Sequence, residues 1–219
     1  MKRMNIHSTL ALAGVVGPLV LVFGDLSAAL SNPNYNPLSD SISSLALTPI
    51  GWLQTIGFLA MGLLVEIFVA GLFFNIRGVR GFRPGIGILV VFGFGLLLIG
   101  AFRTDPVGVA HTIEGMIHSV VAGVVFWLFP IAVLLLSPSL RSDPQWKNIF
   151  LYTVIAGILA LVLAIGLLLR PDATSWWGLY ERILVANIVI WVEVAAIRLL
   201  CLSLGCQELI PLSKIFRAR

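Results

Sequence analysis

Charge is scarce in this chain. Of its 219 residues, 11% are Asp, Glu, Lys or Arg against 59% hydrophobic, and the mean hydropathy is +1.04. So few charges cannot clothe a soluble surface, which excludes an ordinary globular domain. Histidine is scarcer still: His7 lies near the N-terminus, and His111 and His118 fall on one segment. No two of them can clamp a haem from facing helices. Linkers, low-complexity tracts, charge blocks and internal repeats are all missing, so residues 1–219 read as one domain. Gly85, Gly87, Gly93 and Gly95 make no phosphate loop, because no Lys-Ser/Thr follows them.

What is abundant is apolar sequence in long runs. Six stretches, about residues 8–30, 52–75, 85–102, 115–137, 148–169 and 180–203, each suffice to cross a hydrocarbon core of about 30 Å at about 1.5 Å per residue. They are continuous rather than alternating, which predicts helices and not a β-barrel. Short connections make sequential neighbours antiparallel, so the expected fold is an all-α, six-transmembrane-helix up-and-down bundle.

Lys and Arg set the expected orientation. Lys2 and Arg3, then Arg77, Arg80 and Arg83, then Arg141 and Lys147, then Lys214, Arg217 and Arg219 fall on one set of connections. By the positive-inside rule that set and both termini are cytoplasmic in a multi-pass cell-membrane protein. The net charge of +4 is then a topology signal and calls for no nucleic-acid partner. Lys2 and Arg3 before an apolar run ending at Ala28 and Ala29 also resemble a secretory signal. The length of the run and the polar Asp25 within it favour a retained helix. Cys201 and Cys206 fall on the cytoplasmic side, where a structural disulfide is not expected; buried thiols are the simpler reading and palmitoylation the alternative.

Polar residues converge on the opposite, extracytoplasmic face. The segment 31–51 holds NYNPLSDSISSLA without a Lys or Arg, and predicts a lid loop with a short helix capped by Ser39 or Asp40. Nearby span ends carry Asp25, then Arg103 and Asp105 in FRTDP, then His111, Glu114 and His118 in HTIEGMIH, then Arg170, Asp172, Glu181 and Arg182. A helix from about residue 111 stacks His111, Glu114 and His118 on one face. Glu114 with either histidine has spacing usable for a metal, with Asp25, Asp40 or Asp105 completing it. A hydrogen-bonded histidine explains the pattern more simply, and neither a metal nor a cofactor is assigned. Arg103 and Arg182 are expected to pair with Asp25, Asp40 or Asp105. Glu66 and Glu193 lie inside their spans, where carboxylates are costly and mark function by default.

YNPLSDSIS (35–43), FRTDP (102–106), the H-x6-H of HTIEGMIH (111–118) and GLYERI (178–183) together resemble an uncharacterised group of bacterial and archaeal membrane proteins. That group is catalogued as domain of unknown function nine-nine-eight. The resemblance covers nearly the whole chain and implies six helices but no activity. A more distant analogy runs to membrane hydrolases of the alkaline ceramidase and progestin-receptor type, which use three histidines with an Asp and a Ser. This chain offers Asp25, Ser41, Asp105, His111 and His118, but no third intramembrane histidine and no H-x3-H.

Three functions follow from these residues. The first is a binding or accessory protein for a lipid headgroup or small polar ligand within the bilayer. Its contacts would be Asp25, Tyr35, Asn36, Asp40, Ser41, Arg103, Asp105, His111, His118 and Arg182. The second is a lipid-modifying hydrolase or transferase using His118 with Asp105 or Asp40. The third is a proton-coupled transporter using Glu66 and Glu193.

Overall fold

The computed structural model describes residues 5–106, 108–169 and 176–205. Lys2, Arg3, Arg170, Asp172, Cys206 and the basic C-terminal stretch lie outside the described residues. Six α-helices make up most of what is described: α1 (Ile6–Leu30), α2 (Trp52–Asn75), α3 (Phe82–Ala101), α4 (Ile113–Ser142), α5 (Phe150–Leu169) and α6 (Trp177–Leu204). Each is long and apolar enough to cross a membrane. The chain is thus a multi-pass membrane protein with an all-α fold.

Every helix packs on its neighbours in sequence, and α6 closes the ring against α1. Lipid offers helices no hydrophobic drive to associate, so close packing and interhelical hydrogen bonds must hold them. Gly62 shows how: a β-carbon there would stand 2.8 Å from the backbone nitrogen of Leu97 on α3. At the centre, Phe129 lies 5.8 Å from Phe92 and 5.6 Å, edge-on, from Trp191. The Trp191 indole donates to Thr153 Oγ1 at 3.1 Å, which ties α6 to α5 and satisfies a buried N–H.

The start of α1 and the end of α6 share one end of the bundle, where Ser8 and Ser203 hydroxyls meet at 3.0 Å. The turn between α2 and α3 is fastened there to the α4–α5 connection by Asp143, which is 2% exposed. Its carboxylate accepts from the Arg77 amide at 3.0 Å and the Gln145 amide at 2.9 Å. Trp146, at the same junction, is fully buried and donates to the Asn75 carbonyl at 3.0 Å. An indole can seal a helix junction as well as it can sit among headgroups.

The other end is covered by residues 31–51, which contain a short 3-10 turn at Ser43–Leu47. Ile42 and Leu45 are buried there against Ala28 of α1. The turn is entered through the Ser41 hydroxyl, which accepts from the Ser44 amide at 3.2 Å, rather than through Ser39 or Asp40. Asp40 is committed elsewhere: its carboxylate accepts from the Asn36 amide at 2.9 Å and from the Ser39 hydroxyl at 2.9 Å.

Candidate functional site

The lid end divides into two polar clusters with His118 between them. The first docks the lid on α6. The Leu179 amide donates to the Leu38 carbonyl at 3.0 Å. Arg182 Nη1 reaches the carbonyls of Pro37, Asp40 and Gly178, each at 2.8 Å. Its Nη2 donates to the Tyr35 hydroxyl, and that phenol donates in turn to the Ser41 carbonyl at 3.0 Å. Gly178 makes the approach possible, since a β-carbon at that position would collide with the Asp40 carbonyl oxygen.

Beneath this layer, Ile42 is held at both of its backbone polar groups. Its amide donates to Glu181 Oε2 at 2.8 Å, and its carbonyl accepts from the Gln54 side chain at 2.5 Å. Gln54 also interacts with Asp25, which lies in Coulombic range of Arg182 and Glu181. The expected ion pair of Arg182 with a carboxylate is not found among the described residues. A planar guanidinium can serve several acceptors at once, and here backbone carbonyls of the lid and of α6 take that role.

The second cluster joins residues 103–112 to the start of α4. Thr112 caps the helix, its hydroxyl accepting from the Gly115 amide at 3.0 Å. Asp105 accepts from the Thr112 hydroxyl and amide, both at 2.8 Å. The hydroxyl and then the amide hold its carboxyl below the usual carboxylate range. Gly115 leaves room for this carboxylate, which any β-carbon would strike. Glu114 Oε1 accepts from the Arg103 amide at 2.9 Å. The Arg103 side chain is exposed and makes no ion pair among the described residues.

Because Thr112 is the cap, the helix begins after His111 and not at it. His111 is therefore not stacked above Glu114 and His118 on a helix face; it is exposed beside Asp105, with Nδ1 3.6 Å from the carboxylate. No group of three His, Cys, Asp or Glu side chains placed to hold a metal ion occurs among the described residues.

His118 sits five residues into α4, about 7.5 Å along its axis from Ile113, and is 5% exposed. Its Nδ1 lies 2.8 Å from the Phe102 carbonyl oxygen. A carbonyl can only accept, so Nδ1 carries the hydrogen, and in that tautomer Nε2 is an acceptor. Nε2 is enclosed and has no hydrogen-bond partner among the described residues. The ring borders a cleft of about 300 Å³ between the lid, α4, α5 and α6, which Ser41, Ser43, Thr104, Ser119 and Glu181 also line. Asp25 Oδ1 is likewise buried without a partner among the described residues.

The ten sequence-assigned contact residues thus separate. Asp25, Tyr35, Asn36, Asp40, Ser41 and Arg182 belong to the lid cluster, and Arg103, Asp105 and His111 to the α4 cluster. His118 meets only Ser41 of the first group, across the cleft. Gln54 escaped sequence reasoning, although an amide one turn inside an apolar span was a visible signal. Glu181 was legible as a neighbour for Arg182 but not as the acceptor for Ile42. Glu66 and Glu193 lie apart from the lid. Glu66 interacts with the α3 backbone at Phe94, and Glu193 Oε2 is buried without a partner among the described residues. Arg198 and Asn187, on the same helix, donate to the carbonyls of Gln145 and Ala156.

Comparison with curated proteins and with solved structures gives no match. Residues 15–198 match the model of a family described as protein of unknown function (DUF998), so the chain belongs to that family.

Proposed function

We propose that the protein binds a lipid headgroup or small polar ligand in the cleft beside His118. One observation carries this reading: Nε2 of a nearly buried histidine is left without a partner, beside a polar cleft under a well-fastened lid. An enclosed acceptor left unpaired costs about 1–3 kcal/mol, which a donor on a ligand would recover. The atom is closed off in this conformation, so a ligand would reach it through a shift of the side chains that line the cleft. Arg182, an obvious headgroup anchor from sequence, has its guanidinium engaged by the lid and does not line the cleft.

We further assign the lid end to the extracytoplasmic side. Arg77, Arg80, Arg83, Arg141 and Lys147 gather around the opposite end of the bundle, in keeping with the positive-inside rule. Ser41 and Ser43 border the same cleft as His118 and support lipid modification as the second reading. No described hydroxyl is bonded to Nε2, which favours binding over catalysis. Mass spectrometry of the purified protein for co-purified lipids, small molecules and metals tests the reading. A specific donor-bearing molecule that is lost in His118→Ala supports it, and an unliganded protein from its native membrane opposes it.

A further inference from the structure

At the end of the bundle opposite the lid, cations gather without carboxylates to match them. Arg77, Arg80, Arg83, Arg141 and Lys147 are exposed there, and none makes an ion pair among the described residues. Arg141 rests over the Phe150 ring, and Arg198 donates to the Gln145 carbonyl. Asp143, the carboxylate between these connections, is buried and taken up by the Arg77 and Gln145 amides. The positive-inside rule accounts for the sign of this charge but not for its placement. Arg80 and Arg83 both line one cavity of about 610 Å³ beside the turn between α2 and α3, a size within the range of ligand sites. Neither guanidinium has a partner among the described residues.

The turn that presents them is held in place. Asp143 accepts from the Arg77 amide, Ser139 Oγ accepts from the Val79 amide at 3.1 Å, and Gly81 takes a φ of 92° with Leu135 of α4 against it. Phe73 and Phe82, stacked 6.1 Å apart, also line the cavity. Phe73 and Phe74 are exposed at the end of a helix long enough to cross a membrane, so the cavity sits where hydrocarbon gives way to headgroups. Guanidinium forks match phosphate oxygens bidentately. A zwitterionic headgroup would bring its phosphate together with an ammonium that the surrounding cations repel; an anionic headgroup carries no such penalty. We propose that this cavity seats an anionic phospholipid, its phosphate on Arg80 and Arg83 and an acyl chain along Phe73 and Phe74. The site lies at the opposite end of the bundle from the His118 cleft and is independent of it.

The full-length protein in detergent is mixed with equimolar phosphatidylglycerol and phosphatidylcholine of identical chains and released for native mass spectrometry. Phosphatidylglycerol should be retained in preference. Arg80→Gln combined with Arg83→Gln should reduce that retention by about tenfold or more, as expected for losing hydrogen bonds between charged groups. Arg141→Gln combined with Lys147→Gln removes the same charge from the same end but away from the cavity, and should leave the preference in place. All four side chains are exposed, so both variants should fold. Inorganic phosphate at the concentration of the lipid should not displace it. Equal retention of the two lipids, wild-type retention in the cavity variant, equal losses in the two variants, or displacement by inorganic phosphate would each overturn the proposal.

Discussion

Arg182 on α6 and Tyr35 in the lid meet twice: the guanidinium donates to the phenol oxygen, and its central carbon lies 5.3 Å from the ring centroid. The same side chain reaches the Pro37 and Asp40 carbonyls. One residue of α6 therefore fastens 35–40 through three separate points. Arg182→Lys keeps the charge but loses the planar fork. Hydrogen exchange across residues 34–42 should accelerate by about tenfold or more, since bonds to a charged group contribute about 1.5–3 kcal/mol. Tyr35→Phe should do the same to a smaller degree. Unchanged protection in Arg182→Lys would mean that Ile42, Glu181 and Gln54 hold the lid unaided.

Asp105 predicts an acid-sensitive start to α4. Its folded-state carboxyl titrates below the ordinary carboxylate value because Thr112 donates to it twice. The stabilisation is fully present above the unfolded value of about 3.9. It declines as pH falls below that value and is gone once pH has passed through the lowered folded value. Exchange of the Thr112 and Gly115 amides should report this loss, and Thr112→Val should flatten the profile. A profile indifferent to Thr112 would contradict the assignment.

At the far end of the bundle, Asp143 carries the largest expected stability effect. Asp143→Ala leaves the Arg77 and Gln145 amides without their acceptor, at a cost of about 1–3 kcal/mol for each that stays buried and dry. Thermal unfolding in detergent should shift clearly downward, with Asp143→Asn intermediate. A variant as stable as the wild type would mean that water replaces the carboxylate.

Legibility followed the range of the interactions. Six helices could be read from the lengths of the apolar runs, because crossing a hydrocarbon core imposes a length and a composition that survive in any window of the chain. The start of α4 at Ile113 falls between the span start near 115 and the helix from about 111 considered for the histidine face, and its cap Thr112 is also held by Asp105, seven residues earlier. Trp146 is buried through a partner, Asn75, that lies 71 positions away. The lid was visible as a polar, cation-free segment, but its partners are 139 to 147 residues distant in Glu181, Arg182 and the α6 backbone. Spacing along the chain carries no record of such pairings. The unpaired state of His118 Nε2 follows only from knowing that Phe102 occupies Nδ1.

We propose that Nε2 of His118 receives a hydrogen bond from a ligand in the cleft under the lid. It is tested most directly by ¹⁵N chemical shifts of the His118 ring in the full-length protein, recorded as purified from its native membrane and again after exhaustive exchange into lipid-free detergent. We predict that Nδ1 stays protonated in both states, while Nε2 changes from hydrogen-bonded to free on delipidation and reverts when the native lipid extract is returned. An Nε2 shift that is the same before and after delipidation would contradict the account and leave His118 as a structural residue of the lid end.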